Sequence, residues 1–202
     1  MRKSRGKRKT RSPLASKYKD TILLIVENSE VAFFNQYFRD YLQTNHQITI
    51  KCEPSGSSNK CNILNFRKME NRINIALEDD GYKSVFLMLD LKTNCRHTNQ
   101  NHTCLVKLKN EYQHEYKIKK ELKDRFYLFV VCNEIESWFL TIDRDTNNIS
   151  ENHKKDLKDF LNVSSEKQIV DKMIEKLEKG TYTLNFSHNS SFEYFIKKLQ
   201  EA

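Results

Sequence analysis

Residues Thr21 to Phe34, TILLIVENSEVAFF, decide how the chain folds. An apolar run from Thr21 to Val26 stops abruptly at Glu27. Asn28 and Ser29 then open a segment in which Val31, Phe34, Phe38 and Tyr41 recur at helical spacing. A buried strand, a tight turn carrying a carboxylate and an amphipathic helix account for that change of period. Open α/β sheets bind ligands at the carboxyl ends of their strands, so Glu27 is the first candidate functional residue.

The rest of the chain repeats the unit. Gln47 to Glu53 alternates and is rich in β-branched residues, the pattern of a second strand. Pro54 to Lys60 reads as a turn, and Cys61 to Leu77 carries a helical stripe of Ile63, Leu64, Met69, Ile73 and Leu77. Gly81 suits the cap region that follows. Ser84 to Leu89 is a third, wholly apolar strand ending on Asp90. After a polar loop from Leu91 to His102, the spacing of Leu105, Leu108, Tyr112 and Tyr116 predicts one long helix over Thr103 to Leu122. Phe126 to Cys132 is the fourth strand, and Ile135 to Ile142 an apolar helical segment after it. Beyond Asp143 only helices are predicted, over Asn152 to Leu161, Ser165 to Lys179 and Ser191 to Leu199.

Short apolar strands alternating with helices argue for an α/β fold, a central parallel sheet of about four strands with both faces covered. Right-handed crossovers then bring every strand's carboxyl end to one edge. Glu27, Asp90 and the pair Glu134 and Glu136 all fall there. Carboxylates gathered in this way raise one another's pKa values unless a cation joins them. A hard divalent cation, Mg²⁺ or Mn²⁺, takes oxygen ligands and suits phosphate chemistry. Taken singly, each acid also reads as an ordinary strand-end residue that is solvated or caps a helix.

Three segments, ILLIVENSEVAFF, VFLMLDLKTN and VVCNEIESWFL, resemble in order and spacing the Toprim fold, and more narrowly the RloB-like Toprim proteins of bacterial defence islands. That family opens with an acidic turn of the type E-G-x-[ST]-E, ends its third strand on Asp and follows its fourth with E-x-W-L. Here these are Glu27, Asp90 and Glu136-Ser137-Trp138 with Leu140; SSFEYFIKKL resembles the family's closing helix. The likeness covers residues 20 to 142 best. It implies a nuclease in which Glu27 is a general acid/base or metal ligand, Asp90 binds Mg²⁺ and Glu136 completes the cluster. It also implies a partner ATPase of the SMC/ABC class. The chain departs from the pattern in three places. Asn28 stands where Gly is usual, Glu30 lies one residue closer than expected, and D-x-D has become Asp90-Leu91-Lys92. Lys92 cannot ligate a metal while charged but can hold a phosphate. A catalytically degenerate subunit that binds nucleic acid or a partner protein is therefore the alternative.

Outside this edge, Cys95, His97, His102 and Cys104 could supply four zinc ligands, but their spacing departs from C-x2-C and a polar loop is the favoured reading. Ser55 to Lys60 could hold a phosphate through backbone N–H groups and Lys60, although it lacks P-loop spacing and suits a plain turn. Trp138 is expected in the core and Glu136 at the edge.

The 202 residues, 38% hydrophobic and 11% aromatic, suffice for one core. They divide into a basic, flexible tail over 1 to 19, a Toprim-like domain over 20 to 142 and a helical extension over 143 to 202. The first twelve residues hold Arg2, Lys3, Arg5, Lys7, Arg8, Lys9 and Arg11 and no acid, against a net charge of +8 for the whole chain. The remainder is thus nearly neutral, and the tail suits either RNA or DNA or a merely solubilising role. The basic start is not followed by an apolar h-region and so does not read as a signal peptide. No run approaches membrane-spanning length, and five cysteines without a pairing pattern suit a reducing cytoplasm, the expected location.

Overall fold

The computed structural model describes residues 17–56, 65–91, 109, 112–132, 134–148 and 151–202. Its centre is a four-stranded, wholly parallel sheet in the order β2-β1-β3-β4. The strands are β1 (Thr21–Val26), β2 (Thr49–Pro54), β3 (Ser84–Asp90) and β4 (Phe126–Val131). β1 pairs with both β2 and β3, Ile25 lying opposite Glu53 on one side and Leu87 on the other. The chain leaves β1 in one direction and, after β2, returns past it to form β3. The carboxyl ends of β1 and β3 therefore flank a topological switch point.

The apolar runs are continuous because both faces of the sheet are covered. Ile22, Leu24 and Val26 of β1 share one core with Phe86 and Met88 of β3 and Phe129 and Val131 of β4. Leu23, Ile25, Val85, Leu87, Leu128 and Val130 point into the opposite one. The first core is closed by α1, which runs from Val31–Phe33 through a π-helical stretch, Phe34–Phe38, into Arg39–His46. Asn35, inside the π stretch, exchanges side-chain hydrogen bonds with the backbone of Cys52 and so covers the outer edge of β2. The second core is closed by α2 (Phe66–Glu78), capped at its start by the Asn65 side chain and followed, beyond its C-cap Asp79, by Gly81, whose φ of 72° admits the left-handed turn.

The C-terminal elements are α3 (Glu136–Phe139) with a 3-10 turn (Leu140–Ile142), α4 (His153–Leu161), α5 (Glu166–Glu178) and α6 (Ser190–Glu201). Leu157, Met173, Phe192 and Phe195 place these helices in the same core as β1 and α1. Trp138 is fully buried and stacks on Phe192 with ring centroids 4.4 Å apart. No helix among the described residues is long and apolar enough to cross a membrane.

The long helix expected over Thr103 to Leu122 does not reach Leu122. Among the described residues it stops at Gln113, Lys119 is extended with ψ 140°, and a 3-10 helix (Lys120–Arg125) leads into β4. The cause is α2. Its Glu70 and Asn74 side chains accept the backbone N–H groups of Lys117 and Lys119, which a continuing helix would have used internally. Tyr116 and Ile118, two residues apart, are both buried, a spacing no single helix face provides.

Candidate functional site

The site is built on the turn after β1. The N–H of Glu30 donates to the carbonyl of Glu27 at 3.1 Å, and the carbonyl of Glu30 accepts the N–H of Phe34, starting α1. This turn carries Glu30 inward to 4% exposure and leaves Glu27 half-buried. Asp90 continues the row of Phe86 and Met88, so it lies on the face covered by α1 and α3; its Oδ1 is sealed from solvent. Glu136, in the first turn of α3, is 8% exposed. Trp138 is in the core as expected, but Glu136 is buried as well. The first turn of α3 sinks as a whole, with Glu136, Ser137, Trp138 and Phe139 all enclosed.

These carboxyls feel one another. Burial raises the pKa of Glu30 well above the usual carboxylate range, and the charges of Glu27 and Glu136 raise it further. Asp90 is raised by burial and then by Glu30, Glu27, Glu136 and Glu134. Burial likewise raises Glu136, against the opposing pull of Lys154. The edge thus holds a group of like charges in a low-dielectric setting, an arrangement that costs stability and recurs at functional sites.

One cation enters the group from the C-terminal extension. Nζ of Lys154, in the first turn of α4, lies 3.2 Å from Glu166 Oε1, 3.5 Å from Glu136 Oε1 and 3.9 Å from Glu134 Oε2. Burial disfavours the ammonium, but Glu136, Glu134 and Glu166 together outweigh it and raise its pKa. Glu134 is doubly engaged, because its Oε1 also accepts the backbone N–H of Lys154 at 3.0 Å and so satisfies an end group of α4.

Behind the acids lies a buried polar knot. Asn189, fully buried, accepts at Oδ1 from Ser191 N, Ser191 Oγ and Phe192 N. Its Nδ2 donates to Ser137 Oγ and Thr146 Oγ1. Ser191 Oγ in turn accepts from Cys132 N and Trp138 Nε1, each at 3.0 Å, while Ser137 Oγ donates to the Cys132 carbonyl. The knot fixes both ends of the segment that carries Glu134 and Glu136.

Of the residues singled out from sequence, Glu27, Asp90, Glu134 and Glu136 meet at this edge. Lys92, Lys60, the tail residues Arg2, Lys3, Arg5, Lys7, Arg8, Lys9 and Arg11, and the zinc candidates Cys95, His97, His102 and Cys104 lie outside the described residues. Sequence reasoning noted Glu30 only as a departure from the acidic-turn pattern and gave it no role in the site, because nothing local shows which acid of a turn points inward. It missed Lys154, for which no local signal exists. Asn189-Ser190-Ser191 carries a readable helix-cap signature, but not its link to Ser137.

The donor set is all carboxylate, and burial with mutual repulsion leaves it in need of positive charge, so its chemistry fits a hard divalent cation. As the side chains stand, no three His, Cys, Asp or Glu among the described residues converge to hold a metal. Binding therefore requires the carboxylates to draw together. A cavity of about 1080 Å³ opens between α6 and residues 183–187, but none of its lining residues belongs to the acidic edge. No protein-family model, curated protein or solved structure matches the chain.

Proposed function

We propose that this chain is a Toprim-type, divalent-cation-dependent nuclease of the RloB-like kind. In this reading it hydrolyses RNA or DNA phosphodiester bonds in the bacterial cytoplasm, acts as a toxin in anti-phage defence by abortive infection, and is controlled by an SMC/ABC-class ATPase. The observation that carries the reading is the meeting of Glu27, Glu30, Asp90 and Glu136 at the β1/β3 switch point, where burial and then neighbouring carboxylates raise both Glu30 (Glu27 and Glu136) and Asp90 (Glu30, Glu27 and Glu136). The order of the sequence segments supplies the family; the basic tail supplies attraction to a polyanion.

Asp90, Glu30 and Glu136 would hold the cation, Mg²⁺ or Mn²⁺. When bound, it polarises the phosphodiester and acidifies water. Glu27, half-buried at the mouth of the edge, takes the proton from the attacking water at its carboxylate oxygen. Burial disfavours the anions of Asp90 and Glu30, so both would give up their protons as the cation is taken up, and the packed α1 and α3 exclude bulk water from behind them.

The position of Lys154 favours a second reading, a degenerate Toprim subunit that binds nucleic acid or protein without cutting. Its ammonium already compensates Glu134 and Glu136 from within the chain. The deciding assay incubates labelled RNA and DNA, single- and double-stranded, with purified protein and Mg²⁺ or Mn²⁺, alone and with any SMC/ABC-class ATPase whose gene adjoins its own. Cleavage that needs the divalent ion and disappears in Glu27→Gln is the expected result. Retention of nucleic acid without cleavage in every combination would establish the second reading instead.

A further inference from the structure

We infer that Lys154 is the built-in counter-cation of the acidic edge, and that through it the C-terminal extension sets how tightly the edge binds a divalent cation. The inference rests on the metal-dependent reading above and concerns the same site.

Three observations carry it. The ammonium lies within 4 Å of carboxylate oxygens from three separate elements: the turn after β4, α3 and α5. A surface lysine pairs with one neighbour and stays solvated; the Lys154 side chain is 27% exposed, and those of Glu134 and Glu136 are 14% and 10% exposed. The anchoring of the residue also does not depend on its charge. Its backbone N–H is held by Glu134, and α4 is capped by Asn152, whose side chain accepts from Lys155 N. The helix therefore delivers the ammonium to a fixed place, and removing the charge leaves the helix end intact.

A positive charge among carboxylates does two things. It offsets their repulsion while no metal is bound, and it lowers the attraction they can offer to an arriving Mg²⁺ or Mn²⁺. Entry of the ion to Glu136 then requires the Lys154 ammonium to yield its place beside that carboxylate. Glu166 of α5, 3.2 Å away, is the partner it retains when it swings back. The extension thereby acts as a threshold on loading of the edge, and a partner that moves α4 or α5 lowers that threshold.

The test measures Mn²⁺ binding by calorimetry or electron paramagnetic resonance, with no nucleic acid present, and thermal melting in chelator. In Lys154→Met, which keeps the aliphatic stem, Mn²⁺ should bind about five- to tenfold more tightly, while the chelated protein melts at a lower temperature. Lys154→Arg, which keeps the charge, should bind Mn²⁺ within about twofold of wild type. Lys154→Gln replaces the methionine variant where that does not fold. Wild type and Lys154→Met binding Mn²⁺ equally would overturn the inference while leaving the metal-dependent reading in place. Binding by Lys154→Met alone would sink that reading and leave Lys154 as the cation of the site. Failure of both proteins to bind would overturn both.

Discussion

Two buried polar clusters meet at adjacent residues, Glu136 and Ser137, and they are built on opposite terms. In the knot around Asn189, donors and acceptors match: one amide serves five named partners, and Ser191 and Ser137 close the circuit on Cys132 and Trp138. At the edge around Glu30 and Asp90, like charges are gathered and burial opposes their ionisation. A satisfied network rigidifies, whereas a cluster of like charges stores free energy that a ligand can release. The same short segment, 132–138, belongs to both, so the rigid cluster holds part of the strained one in place.

The sharpest way to break the comparison is to remove one acid. Glu27→Gln or Asp90→Asn should lower cleavage by roughly a thousandfold or more, as loss of a group acting in the transition state does. Melting in chelator should stay equal or rise, because a carboxylate charge is removed without a cavity. Activity lost together with folding in a circular-dichroism melt would count against a chemical role.

The opposite response is expected from the knot. Asn189→Ala removes the α6 cap and strands the partners on Ser137, Thr146 and Ser191, which should cost about 3 kcal/mol in denaturant unfolding. Cleavage should fall as well, since Glu136 loses its anchorage. A variant as stable as wild type would mean that the knot is a surface of convenience rather than the support of the edge.

A smaller and pH-dependent effect belongs to Glu30. Its pKa and that of Asp90 are higher in the folded than in the unfolded chain. A raised carboxyl pKa means that the folded state binds the proton more tightly. Its stabilising contribution is therefore complete below the unfolded value, near pH 4, and is lost as pH rises through the folded value. Glu53, lowered by Lys51 and Arg72 against the cost of its burial, has the opposite sign. The difference between wild type and Glu30→Gln isolates the edge from such groups. In chelator the variant should gain about 2–4 °C over wild type at pH 8 and little at pH 4. An equal gain at both pH values would assign the effect to packing.

The weakest effect on the folded body should come from the tail. Deleting residues 1–12 removes seven cations. The slope of log affinity for nucleic acid against log salt should become shallower by several units, with melting unchanged. An unaltered slope would take the tail out of binding.

Local pattern determined much of this protein. Thr21 to Glu27, Ser84 to Asp90 and Phe126 to Val131 are apolar runs that end abruptly on or near acids, and a parallel sheet covered on both faces demands such runs. The placement of Glu27, Asp90 and Glu136 at one edge follows from the crossover rule alone. The segment 112–122 was illegible for a physical reason: side chains of α2, more than forty residues away, capture N–H groups that helical periodicity assigns to a continuing helix. Glu134 could be placed at the edge but not given its second task, because its partner N–H belongs to Lys154, twenty residues on. The inward turn of Glu30, the strand order that sets β1 beside β3, and the arrival of Lys154 from α4 were decided only by tertiary structure. Each depends on which distant surfaces pack together, and no local spacing carries that information.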